Sequence, residues 1–244
     1  MQNLRQSPPS RADQHACADC PIRHQAVCAR CEADDLDMLE EAKFFRRFAP
    51  GQSILRAGDR MDFVASVLSG AACLTHLRPD GRTQMVGLLL PSDFVGRPGR
   101  DHALYDVVAL EETVLCCFRR SAFDALLARN PRIGQRLLDM ALDELEASRN
   151  WLTVLGRKTA REKIASFLML IHDHDRRVEG PARGGPARVA LPVTRDRMAD
   201  HLDLTMETVS RQITILRAER VLVPLTPRLF EIPDPGALRA VAGG

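Results

Sequence analysis

Residues 17–31 read CADCPIRHQAVCARC and gather four of the chain's seven cysteines, Cys17, Cys20, Cys28 and Cys31, within fifteen residues. Thiolates are soft ligands, and a two-residue gap lets both sulfurs of a Cys-x-x-Cys pair reach one centre at little entropic cost. Metal binding is therefore the first chemistry to expect. Structural zinc could use the four thiolates, with His15 and His24 as further candidates, but seven residues between the pairs is tighter than zinc ribbons and fingers use. Isolated histidines beside such a loop are more often solvated. An iron–sulfur cluster accepts the same donors. A disulfide framework needs an oxidising compartment, whereas residues 1–16 are polar and lack a secretory core, so a reducing cytoplasm is expected.

The rest of the chain must hold those sulfurs and give them something to control. Its 244 residues suit about two domains. With 45% apolar and 27% charged residues it reads as an ordinary globular protein. No run of eighteen apolar residues occurs, so no membrane partner is expected. A net charge of +2 does not announce nucleic-acid binding, and any basic surface must be local. Lys43, Lys158 and Lys163 are the only lysines. No Ser–His–Asp arrangement, P-loop or dinucleotide fingerprint points to an enzyme.

Helical spacing of Leu36, Leu39 and Ala42 predicts a short helix over 35–43. Residues 44–118 are short apolar runs broken by Pro50-Gly51, Gly58-Asp59, Ser69-Gly70, Asp80-Gly81 and Pro91-Ser92-Asp93, roughly every ten residues, as in a β-sandwich or β-roll. Asp80-Gly81 is the clearest hairpin tip. Cys73, alone in an apolar strand, reads as a small core residue. Helical pattern resumes at 121–127, and a long helix follows over about 133–156. On it Leu138, Ala141, Leu145, Ser148, Leu152 and Leu155 are spaced 3, 4, 3, 4, 3, a heptad seam that suits a parallel homodimer, with Glu144 meeting Arg149 across it. Ala141 and Ser148 make that seam weak, which suits a switch. A helix over 159–173 leads into a loop or hairpin over 176–188, and the domain boundary falls near Gly156-Arg157.

Residues 193–218 then read VTRDRMADHLDLTMETVSRQITILRA. Thr194 can cap a helix through Leu202, and Thr205 another from Met206 to about Glu219, with Asp203 and Leu204 between them. Apolar Met198, Ala199, Leu202, Val209, Ile213 and Leu216 make this a helix-turn-helix. Asp203 sits in the tight turn, where Gly is easier, though Asp tolerates positive φ better than most residues. Glu207, Ser210 and Arg211 share one face near the start of the second helix, where base edges are read. Arg211 can donate twice to guanine, and Glu207 can accept from cytosine N4. Thr194, Arg195, Arg197, Thr208, Gln212 and Thr214 are candidates for phosphate contacts, which position without specifying. Residues 220–233 predict two strands around a Thr-Pro turn, the wing of a winged helix.

In this order the parts resemble the FNR-type branch of the cyclic-AMP receptor protein superfamily, and within it the FnrL subgroup of oxygen-responsive regulators. The carriers are CADCPIRHQAVC, MDFVASVLSG, GRTQMVGLLLPSDFVGRPG, LGRKTAREKIASFL and LTMETVSRQI. The resemblance implies an α+β chain: a cysteine-rich segment (1–34), a β-roll sensor (35–130), a dimerisation helix (131–156) and a winged helix-turn-helix (157–244). It implies a [4Fe–4S] cluster held by three N-terminal cysteines and one from the roll. Those matched are Cys17, Cys20, Cys28 and Cys116; Cys31 is the alternate to Cys28, because the gap before the third ligand is seven residues here against five in the best-known members, and Cys117 is the alternate to Cys116, its strand neighbour, of which only one can face the cluster. It further implies a TTGAT-type DNA palindrome, a homodimer, and RNA polymerase as partner. The stretch SDFVGRPGRDHALYDV lacks the Gly-Glu-Leu and Arg-Ser that grip a cyclic nucleotide in the other branch, so no cyclic nucleotide is expected. Two rival readings stay open: a zinc-containing DNA-binding regulator without oxygen sensing, and an iron–sulfur redox protein.

Overall fold

The computed structural model describes residues 15–78, 81, 83–179 and 187–243. Contacts divide the chain into two compact units, one up to Leu142 and one from Asp143 on.

In the first unit a short 3-10 turn at Cys17–Asp19 opens the cysteine loop, and helix α1 (Ala33–Ala42) follows. A reciprocal capping box starts α1: Glu32 accepts from the third helical amide, and Asp35 accepts from the amide of Glu32 at 3.1 Å. Eight strands come next: β1 (Lys43–Phe48), β2 (Ser53–Leu55), β3 (Phe63–Ser69), β4 (Ala72–Leu77), β5 (Thr83–Leu89), β6 (Phe94–Val95), β7 (Asp106–Ala109) and β8 (Thr113–Arg119). They form two four-stranded antiparallel sheets in the orders β1-β8-β3-β6 and β2-β7-β4-β5. This is the expected β-roll. Gly51, Gly58, Gly70 and Ser92 all take positive φ at the predicted turns. Gly70 has no alternative, since a Cβ there would lie 2.2 Å from the Glu112 carbonyl oxygen. Asp80 lies outside the described residues.

The sheet holding β3 and β8 is buried on both faces. Ala65, Val67, Leu115 and Cys117 enter the core between the sheets, while Val64, Phe118 and half-buried Cys116 pack with the cysteine loop, α1 and Phe123. That is why FVASVLS reads as an unbroken apolar run and not as an alternating strand. Cys73 is fully buried, as expected. Helix α2 (Arg120–Arg129) follows the roll, and α3 (Pro131–Arg157) is the long helix.

The second unit carries α4 (Ala160–Glu179), β9 (Ala187–Ala190), α5 (Arg195–Leu202), α6 (Met206–Ala218), β10 (Val223–Pro224), β11 (Leu229–Ile232) and α7 (Pro235–Val241). Strands β10 and β11 form the wing, and β9 adds a third strand that the sequence did not announce. The loop or hairpin predicted over 176–188 needs correction. Helix α4 runs to Glu179 and β9 begins at Ala187, with 180–186 outside the described residues. The polar texture of this stretch hid a helix whose last turns are anchored by buried Ile171, His172 and His174 and by an Asp173–Arg239 ion pair at 2.9 Å to α7.

Candidate metal centre and nucleic-acid interface

The cysteine loop is a run of successive turns. Arg23, Ala26, Ala29 and Cys31 donate their amides to the carbonyls of Cys20, Ile22, Ala26 and Cys28 at 2.9–3.1 Å. Ile22, Ala26 and Val27 are each at most 2% exposed and fasten the loop by burial. The loop lies over the outer face of β8, where strand alternation decides between adjacent cysteines. Cys117 points into the roll, its sulfur 3.7 Å from the Leu115 carbonyl. Cys116 points at the loop.

Between loop and strand is a cavity with about 430 Å³ of atom-free space, part of it open to solvent. Cys17, Cys20, Cys28 and Cys116 line it, with His15, Lys43, Ser66 and apolar neighbours. Cys31 does not line it and packs with Leu36 and Leu39. Among the described residues no three metal-binding side chains stand close enough to share a single ion. Burial pushes the Cys17 thiol up to about 12 and that of Cys28 to about 11. Cys20 and Cys116 are raised by burial too, and for Cys116 the nearness of Cys117, Cys20, Cys17 and Cys28 adds to it. Left alone, the four stay protonated, and a metal must displace their protons. The donor set, four thiols lining one partly open space with an orphaned polar atom at Ser66, fits the chemistry of an iron–sulfur cluster.

The loop is also tied to α3. Arg136 donates to the Ala26 carbonyl at 3.3 Å and to the Gln25 carbonyl. Arg132 pairs with Glu32 at 2.7 Å and Asp35 at 3.5 Å, and Arg30 pairs with Asp139 at 2.6 Å. These α3 positions follow i, i+4, i+7 and form one stripe. The seam is a different stripe. Leu138, Leu145 and Leu152 are 59%, 45% and 72% exposed, Ala141 and Ser148 are exposed, and Leu155 is half-buried.

In the second unit Thr194 and Thr205 cap α5 and α6, accepting from Arg197 and Thr208 amides at 3.2 Å. Asp203 takes φ 52° between them, the left-handed turn expected of it. Lys163, buried, donates to the Leu202 carbonyl at 3.1 Å and closes the end of α5. Glu207 and Arg211 are exposed on α6, with half-buried Ser210 between them. Ser210 accepts from Arg195 at 3.3 Å, and its carbonyl accepts from Thr214 at 2.9 Å. Bonds from its own amide and from the Thr205 hydroxyl hold the Glu207 carboxyl below its usual range, so it is an acceptor. Thr194 and Thr214 are exposed, and Arg195, Arg197, Thr208 and Gln212 half-buried, around the same helix pair.

The cyclic nucleotide-binding domain family matches residues 45–130, and the Crp-like helix-turn-helix domain family matches 162–241. The transcriptional activator protein FnrL of Cereibacter sphaeroides is 52% identical over 94% of this chain and 92% of its own length. The chain belongs to the Crp/FNR family of transcription regulators. The activator Anr of Pseudomonas protegens is 32% identical, over 95% of this chain and 94% of its own. The solved structure of FixK2 from Bradyrhizobium japonicum is similar with a TM-score of 0.72 at 26% identity, over 82% of this chain and 96% of that one. FnrL and Anr are named as transcriptional activators and not as enzymes, and the Crp-like helix-turn-helix match lies in this chain itself. No helix among the described residues is long and apolar enough to cross a membrane.

For a Crp/FNR-family chain, the sequence reading missed the residues around the cavity that are not cysteines. Lys43 lies 3.8 Å from the Cys17 sulfur and 2.7 Å from Glu40, whose carboxylate accepts the Cys17 amide at 2.6 Å. Its rarity as one of three lysines was the one available signal. His15, read as solvated, lines the cavity, and its carbonyl accepts from Lys43. Ser66 and the Arg132, Arg136 and Asp139 stripe carried no signal at all.

Proposed function

We propose that this Crp/FNR-family member is an oxygen-responsive activator or repressor of transcription whose Cys17, Cys20, Cys28 and Cys116 hold a [4Fe–4S] cluster. The observation that carries it is the convergence on one cavity of four thiols from two segments far apart in sequence, a cavity that neither Cys31 nor Cys117 lines. Four thiols lining one cavity suit a cluster, which would offer an iron to each sulfur. One zinc would need all four within about 2.3 Å of a point.

The cluster supplies reactivity towards oxygen. The protein's part is mechanical: with the cysteines engaged, the loop is fixed on β8, and Arg30, Arg132 and Arg136 hold α3 in the setting that favours a homodimer through Leu138, Ala141, Leu145, Ser148, Leu152 and Leu155. Two α6 helices in register then read a TTGAT-type palindrome through Glu207, Ser210 and Arg211, with Thr194, Arg195, Arg197, Thr208, Gln212 and Thr214 on the phosphates. RNA polymerase is the partner at the promoter. Cyclic nucleotide plays no part, a reading supported by the lack of the Gly-Glu-Leu and Arg-Ser pattern in residues 92–107. Cytoplasmic location follows from that role. The test is anaerobic purification with iron and sulfide assay, then chromatography and DNA binding before and after air. Equal DNA binding by cluster-loaded and cluster-free protein refutes the proposal.

A further inference from the structure

Ser66 and Cys116 are direct cross-strand partners on β3 and β8, so their side chains leave the sheet on the same face and both line the cavity. Ser66 is 2% exposed, yet its hydroxyl has no hydrogen-bond partner among the described residues. A hydroxyl buried unpaired is unfavourable, and such a group in a well-packed wall points to a partner that occupies the space beside it. Ile22, Ala26, Val27, Leu39, Phe45 and Phe118 in the same wall offer no acceptor. The side-chain acceptors that line the cavity are the four cysteine sulfurs and the His15 ring, and the sulfur of Cys116 is the one directly across the strand pair from Ser66.

Lys43 supplies a second donor. Its side chain is 7% exposed, and its ammonium has three hydrogens. Glu40 takes one at 2.7 Å, the His15 carbonyl takes another, and the Cys17 sulfur at 3.8 Å stands for the third.

Resting on the cluster reading above, we propose that the Ser66 hydroxyl and the Lys43 ammonium are the hydrogen-bond donors that tune the bound cluster, one beside Cys116 and the other beside Cys17. A donor to sulfur draws negative charge from it, so an electron is removed less easily, and the cluster's potential and endurance in air follow. Neither residue is a ligand. Both set the threshold at which dioxygen acts.

The experiment uses the full chain purified anaerobically as wild type, S66A, S66T and K43M, with iron and sulfide content, visible absorbance bleaching in air, and resonance Raman spectra in H2O and D2O. S66A and K43M should load iron and sulfide but bleach roughly tenfold faster, the low end for lost outer-shell partners. In S66A the D2O shift of the Fe–S modes should shrink, and S66T, which keeps the hydroxyl, should restore both. Wild-type bleaching and D2O shifts in S66A and K43M overturn the proposal while leaving the cluster reading intact. A wild-type chain that takes up no iron and sulfide overturns both. Should S66A not load while S66T does, the hydroxyl is still the group required. Should neither load, K43M decides, and a wild-type bleaching rate in it overturns the proposal.

Discussion

On the proposed cluster reading, Arg136→Ala should separate holding the cluster from using it. Arg136 lies on α3, half-buried, and its guanidinium reaches two carbonyls of the cysteine loop, Gln25 and Ala26, without touching a sulfur. A hydrogen bond from a charged donor contributes about 1.5–3 kcal/mol when well buried. For two such bonds at a half-exposed site about 2 kcal/mol in total is a fair figure, which is roughly a thirtyfold change in an equilibrium. If the bonds transmit the state of the loop to α3, R136A should retain wild-type iron and sulfide yet bind the palindrome about thirtyfold more weakly without oxygen. Air-exposed wild type and R136A should bind alike, since the loop is then released in both. The assay is anaerobic fluorescence anisotropy with labelled TTGAT palindrome at one fixed salt concentration, because phosphate contacts make every affinity salt-dependent. R136A that carries a full cluster and binds within about threefold of wild type would refute the coupling.

Other outcomes follow from the same geometry. C116S should lose iron binding, whereas C117S should load but lower the melting temperature, because a hydroxyl placed in the roll core costs roughly 1–3 kcal/mol; metal assay and thermal melts distinguish them. S148L, which puts leucine into an exposed seam position, should give a dimer that persists in air by light scattering and blunt the oxygen response of DNA binding. R211A should cost about 1–3 kcal/mol and relax base preference at one position of each half-site, read by competition with base-substituted palindromes. The lowered Glu207 carboxyl stays ionised above its unfolded value and protonates only as pH falls below it, so base preference at its position should be constant from pH 6 to 8 and change in E207Q.

The helix-turn-helix was legible because its signals are local. Thr194, Thr205 and Asp203 each act within three or four residues, and the structure puts caps and the left-handed turn at those residues. The roll was legible from turn residues alone, since positive φ at Gly51, Gly58, Gly70 and Ser92 is also a local demand. What the sequence could not reveal is sheet register. Ser66 meets Cys116, and Phe45 meets Cys116 from the other side, only because β3, β8 and β1 align at those residues, and nothing in their spacing along the chain says so. The same holds for Arg136 and Gln25, more than a hundred residues apart. The lysines tell a related story. In a chain that uses Arg almost everywhere, Lys43, Lys158 and Lys163 each send a compact ammonium to a backbone carbonyl, of His15, Ala242 and Leu202 in turn.

If two copies pair through the proposed seam, its balance would let a contact as small as that of Arg136 decide the state of the protein. Leu138, Leu145, Leu152 and Leu155, doubled by two-fold symmetry, give eight leucines already part-covered by their own helix, each adding roughly 1 kcal/mol on further burial. Their total falls inside the ~4–15 kcal/mol that association costs in lost freedom of motion. Ala141 and Ser148 add little. A seam so close to balance would have no strong preference of its own, and on the proposed mechanism the stripe of Arg132, Arg136 and Asp139 on the same helix would hold the deciding margin. Leucine at either weak position would move the seam away from balance and leave the cysteine loop with nothing to control.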